Sequence, residues 1–160
     1  MKYLVDPVKC AVNAAVCVVM LLFTVGAALF HQWSLFAVFL AACLGFLWFT
    51  MDYASTVEFR GDIVTQRLPV IGAARTYSRD EIKEAGVLGT NIYYRRQPNK
   101  SGTVYLYFSP RRLSEIDKFD LGLKWKRDII RLRFSKDRYM AAQLFWDGKL
   151  QEYNIGDLEL

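Results

Sequence analysis

The sequence predicts an α+β protein, in which a two-helix transmembrane hairpin is followed by an antiparallel β-barrel or sandwich capped by one C-terminal helix. Three observations predict it. Two charge-free apolar runs, residues 10–30 and 35–51, are separated only by His31, Gln32, Trp33 and Ser34. Extended runs divided by turn signals follow from Thr56 to Phe134. After Ser135 the apolar period lengthens from that of a strand to that of a helix.

At about 1.5 Å per residue the first run spans roughly 30 Å, the thickness of a bilayer's hydrocarbon core. The second is shorter, but Ser34 on one side and Asp52 and Tyr53 on the other extend it into the headgroup region, with Trp33, Trp48 and Tyr53 placed as interface anchors. A globular domain of this size could not cover two helices that are apolar on every face. A cleaved signal peptide calls for an apolar core of roughly 7–15 residues, and the first run exceeds it. Leu40-Ala41-Ala42-Cys43 resembles a lipobox but lies deep in the second span. Ala37, Ala41 and Gly45 recur every fourth residue on the second helix, as Ala11 and Ala15 do on the first, and form the candidate helix-packing face.

Lys2 and Lys9 precede the first run, the connector has no lysine or arginine, and Arg60, Arg67 and Arg75 follow the second. The positive-inside rule then places both termini in the cytoplasm of a two-span protein of the cell membrane. Cys10, Cys17 and Cys43 all fall inside the apolar runs and read as small buried hydrophobes, with neither disulfide nor metal spacing.

The division expected is residues 1–53 for the hairpin and 54–160 for one β domain, with the terminal helix at about 136–147. Residues 56–60 and 63–68 flank Gly61-Asp62 as a β-hairpin. Pro69 and Gly72 then punctuate the chain. Residues 74–77 make a third strand, Ser78 or Asp80 opens a turn over Ile82, and 85–88 continue into the next strand. Residues 91–96 and 103–108 flank a second turn at 97–102. Across 125–134, Arg127, Arg131 and Arg133 interleave with Ile130, Leu132 and Phe134. Ser135 is the N-cap of the last helix, Asp137 sits in its first turn, and Gly148 ends it. Tyr139, Leu144, Phe145 and Trp146 supply the surface that covers the sheet.

The hairpin, then Val57-x-Phe59-x-Gly61-x-Ile63-Val64, then Thr76-Tyr77-Ser78-x-x-Glu81-Ile82, then a strand and a final helix, resembles the bacterial PH-like domains of small membrane proteins. The resemblance implies a strongly bent antiparallel barrel or sandwich whose open end is capped by the helix. It implies no uniform activity.

No catalytic constellation emerges. His31, the only histidine, lies in the connector, so no Ser-His or Cys-His nucleophile can be assembled in the β domain. Glu115, Asp117 and Asp120 are interspersed with Arg111, Arg112 and Lys118, the pattern of a solvated loop. Residues 86–89 lack the lysine and spacing of a phosphate loop, and no cofactor is implied. Arg60-Gly61-Asp62 and Asn99-Lys100-Ser101 match adhesion and glycosylation strings but read as local turns.

The expected role is therefore a membrane-anchored, non-catalytic interaction module. From Asp52 onward, nineteen Lys and Arg face fifteen Asp and Glu, a net charge of +4. Arg95, Arg96, Arg111, Arg112, Lys124 and Lys126 form the candidate face toward a protein partner or anionic headgroups of the inner leaflet, where each basic residue is worth about 1 kcal/mol. Tyr93, Tyr94, Tyr105, Tyr107 and Trp125 are interleaved with them, a combination that also stacks on bases, although so modest a charge does not lead us to expect nucleic acid. The alternative is an immunity or accessory membrane subunit whose helices bind a toxin, transporter or secretion component.

Overall fold

The computed structural model describes residues 1–69, 72, 74–90, 103–114 and 128–153. The chain divides into two compact units: Leu4–Ser55 with Leu68–Gly72, and Met1–Tyr3 with Thr56–Arg67 and Ala73–Leu160. The chain thus crosses between the units more than once, first between Tyr3 and Leu4 and again between Ser55 and Thr56.

In the first unit, α1 (Pro7–Leu29) and α2 (Trp33–Tyr53) are both long and apolar enough to cross a membrane. Asp6 caps α1 by accepting the Lys9 N–H at 3.0 Å, and Pro7 sits at the first helical position, where its missing N–H costs nothing. His31 takes φ +57° in the connector. The Gln32 N–H closes the turn onto the Ala27 carbonyl at 2.8 Å. At the other end, the Val5 N–H donates to Ser55 O at 2.8 Å and the Asp6 N–H to Tyr53 O at 3.2 Å, so the open ends of the hairpin are fastened together. Thr24 and Thr50 hide their hydroxyls on the carbonyls of Met20 and Phe46, one turn back, which lets polar side chains sit in apolar helices.

In the second unit, one sheet has the order β1 (Lys2–Leu4), β2 (Thr56–Arg60), β3 (Ile63–Arg67), β4 (Ala74–Ser78), Leu4 being the residue where the chain leaves for the hairpin. The β2–β3 turn is tight because Gly61, at φ +57°, fills its first central position. Register places Val57, Gln66 and Arg75 in one row and Phe59, Val64 and Tyr77 in the next, both facing inward. A 3₁₀ turn, Arg79–Glu81, follows β4, with the Glu81 carboxylate accepting the Ser78 N–H at 2.7 Å.

The other sheet has the order β7 (Ile130–Arg133), β6 (Thr103–Ser109), β5 (Glu84–Thr90), β8 (Gln151–Tyr153), with β8 parallel to β5. The described strands form two sheets and no closed barrel, which corrects the barrel half of the expectation and leaves a sandwich. Residues Val104 to Ser109 are buried on both faces. On one face Phe108 meets Phe59 of β2 and Phe145 of α3 (Lys136–Phe145), the three ring centroids 5.4–5.6 Å apart, so one aromatic triad joins both sheets to the helix. On the other face Tyr107 packs with Leu88, Leu113 and Ile129.

Ser135 caps α3 as expected. Phe145 is buried beside Ala141 and Ala142, whereas Leu144 is 74 % exposed, correcting its assignment to the covering surface. One residue is about 100° of helix, so Leu144 and Phe145 could not share a narrow stripe. The expected strand at 91–96, the turn at 97–102 and residues 125–127 lie outside the described residues.

Candidate functional site

The residues singled out by sequence fall on three surfaces. Of the basic face, Arg95, Arg96, Lys124 and Lys126 lie outside the described residues, as do Tyr93, Tyr94 and Trp125. Arg112 is exposed after β6. Arg111 is committed to an ion pair, its Nε 2.8 Å from a carboxylate oxygen of Asp128, with both side chains about half exposed. Tyr105 and Tyr107 are fully buried and do not offer their rings to a base. Their period-2 neighbours Arg131 and Arg133 share their sheet face by register, and the Arg131 guanidinium lies 5.8 Å from the Tyr105 ring centroid.

Tyr107 instead anchors a buried polar knot. Its hydroxyl donates to Glu84 Oε1 at 2.8 Å, and the Leu113 N–H donates to Glu84 Oε2 at 2.8 Å. Burial, then the Glu84 hydrogen bond and charge, push the phenol far above its ordinary value of 10.0. The knot ties the segment after β6 back to β5. Tyr77 makes a second tie, donating to the Asp128 carbonyl at 2.9 Å; burial and then the Asp128 carboxylate raise its phenol, while Arg75 opposes them. Arg79 is a third tie: it pairs with Asp62 of the β2–β3 turn at 2.7 Å and with Asp147 after α3, and its guanidinium stands 5.7 Å from the Phe145 ring centroid.

Ala37, Ala41 and Gly45 are exposed on the outside of α2, as Ala11 and Ala15 are on α1, which corrects the expectation that they pack the hairpin. A Cβ placed on Gly45 meets open space. The side that faces α1 is built from Phe39, stacked on Phe23 at 5.4 Å, and from Cys43. Two residues are about 200° of helix, so the ladder through Phe39 and Cys43 and the ladder through Ala37, Ala41 and Gly45 occupy opposite sides. Across this interface Cys17 Sγ lies 3.9 Å from Cys43 O and Cys43 Sγ lies 3.7 Å from Cys17 O. Periodicity alone carried no sign of which ladder would face inward.

The third surface is the outer side of α3, where Met140 and Leu144, one turn apart, are both exposed. Among the described residues no group of three or more His, Cys, Asp or Glu is placed to hold a metal ion. Comparison with protein-family models, with curated proteins and with solved structures gives no match.

Proposed function

We propose that the protein is a membrane-anchored, non-catalytic interaction module, in which α1 and α2 embed the chain and a PH-like β unit meets a protein partner or anionic headgroups at the inner leaflet. One observation carries the reading: two helices apolar on all sides expose large side chains such as Leu22, Phe23, Val38 and Phe49 along their length, in the same chain as a separate strand-rich unit. Lysine and arginine on both flanks, and none in the connector, support cytoplasmic termini. The fastening of Val5 and Asp6 to Ser55 and Tyr53 supports both ends lying on one side. A domain tethered in this way gains local concentration, so weak contacts suffice.

The test uses full-length protein in vesicles, with a fluorophore at position 144, which is exposed on α3, reporting the approach of the β unit to neutral or anionic lipid at low salt. Reversing the charge of Arg95, Arg96, Arg111 and Arg112 should abolish the shift produced by anionic lipid. An unchanged shift removes the headgroup reading.

One observation favours the alternative, an immunity or accessory subunit that works through its helices. Ala37, Ala41 and Gly45 form a small-residue ladder that α1 leaves uncovered. Under that reading Ala41→Leu with Gly45→Leu abolishes a complex crosslinked in native membranes, and the charge reversals leave it intact.

A further inference from the structure

We infer that Cys17 and Cys43 are a thiol–disulfide site that locks α1 to α2. The inference needs only the pairing of the two helices and does not depend on what the β unit binds. Each sulfur reaches the other residue's backbone carbonyl, at 3.9 Å and 3.7 Å, so the two residues stand opposite each other across the α1–α2 interface. Reciprocity matters, because a single sulfur–carbonyl contact would fix only one residue's position. The Phe23–Phe39 stack, at 5.4 Å, holds the same interface on the connector side. Both thiols are free and half-buried.

Side chains on a helix lean toward its own N-terminus, and in antiparallel helices the two sulfurs lean apart along the axis. A χ1 change at each residue swings them toward one another, and bridging requires Cα atoms roughly 4.4–6.8 Å apart. Cys10, seven residues before Cys17 on the same helix, has no cysteine opposite it in α2, whose single cysteine is Cys43. It serves as the internal comparison.

Two S–H bonds break and one S–S bond forms. The two protons and two electrons pass to a lipid-soluble two-electron oxidant of the quinone class, which leaves as its hydroquinone, and a dithiol or phosphine reverses the step. The bridge would hold α1 and α2 at fixed rotation, and with them the outer ladder of Ala37, Ala41 and Gly45.

The experiment treats full-length Cys10→Ser protein in vesicles with a tetrasubstituted quinone, which cannot add thiols, alongside a dithiol peptide spanning the same bilayer as a check on oxidation. The protein is then denatured and labelled with a polymer-linked maleimide. Reduced protein should take up two labels, oxidised protein none while remaining monomeric, and phosphine should restore both. Cys17→Ser or Cys43→Ser in that background should keep one label after oxidation. Mass spectrometry of oxidised wild-type chain should show the 17–43 linked peptide, a readout that needs no variant. Retention of both labels while the peptide oxidises, or a bridge from either cysteine to Cys10 or to a second chain, overturns the inference.

Discussion

Replacing Glu84 tests the claim that a buried carboxylate, and not apolar packing alone, fixes the segment after β6. Glu84→Ala strands two buried donors, the Tyr107 hydroxyl and the Leu113 N–H, each of which now donates at 2.8 Å. An unsatisfied buried donor costs about 1–3 kcal/mol, and relief of the carboxylate's own desolvation returns part of that, so a net loss of about 2–5 kcal/mol is expected. Tyr107→Phe removes one donor and leaves the Leu113 bond in place, for about 1.5–3 kcal/mol. Glu84→Gln keeps an acceptor and should fall between wild type and alanine.

Tyr107 also has a pH signature. Below pH 10.0, the ordinary value, the Tyr107 phenol is protonated whether the chain is folded or not. Above it the unfolded phenol releases its proton while the folded one, buried against Glu84, keeps it. The unfolded state then binds fewer protons, and stability falls by about 1.4 kcal/mol per pH unit. Tyr107→Phe should flatten this alkaline slope; the residue that remains belongs in part to Tyr77, also raised by burial and Asp128. Urea unfolding in detergent micelles, followed at pH 7 and across pH 9.5–11, reads both effects. The reasoning fails if Glu84→Ala stays within about 0.5 kcal/mol of wild type, the range of an ordinary surface change, or if Tyr107→Phe leaves the alkaline slope intact.

Three further substitutions probe the other ties. Gly86→Ala drives a Cβ into the Gln151 carbonyl oxygen, so β8 should detach from β5; hydrogen exchange at residues 151–153 should rise, with a stability loss of about 1–3 kcal/mol. Phe145→Ala empties the aromatic triad and should cost about 3–5 kcal/mol, whereas Leu144→Ala, its exposed neighbour, should stay within about 0.5 kcal/mol in the same urea titration. Arg79→Ala frees Asp62 and Asp147 and should cost about 1 kcal/mol because both carboxylates are exposed; Arg79→Lys should recover only part of it, since an ammonium cannot present the guanidinium's fork to two carboxylates.

The parts of this fold that were legible are those written in short-range signals. Gly61-Asp62 marked the first β-hairpin, the alternation of Ile130 and Leu132 with Arg131 and Arg133 marked β7, and Ser135 marked the start of α3. β1 and β8 were not legible because each is three residues long and is held by a partner distant in sequence. Lys2-Tyr3-Leu4 has no periodicity of its own and becomes a strand because β2 offers it an edge. The rotation of α2 was hidden for a different reason: when every face of a helix is apolar, hydrophobicity carries no phase, and only steric fit decides between Ala41 and Cys43 as the contact. Of the candidate sites, the clustering of basic residues was visible, but the commitment of Arg111 to Asp128 and the burial of Tyr105 and Tyr107 depend on strand register.

Where the hairpin sits in the chain bears on how the helix pair and the β unit can be separated. The chain leaves the β unit between Tyr3 and Leu4, runs through both long helices, and re-enters it between Ser55 and Thr56. On the β side the Phe59 N–H donates to the Met1 carbonyl at 3.0 Å, and on the hairpin side Val5 bonds to Ser55 at 2.8 Å. In chain order the helices therefore lie between two neighbouring strands of one sheet. Cutting within the last turn of the second helix, at Asp52, removes β1 with the helix pair and bares the β2 edge, whose unpaired backbone groups are a template for aggregation. Loss of any property by such a fragment would report a missing strand as readily as the missing helices. The contributions of the helix pair and of the β unit are better separated by substitutions within the intact chain, Ala41→Leu on one side and charge reversal at Arg112 on the other.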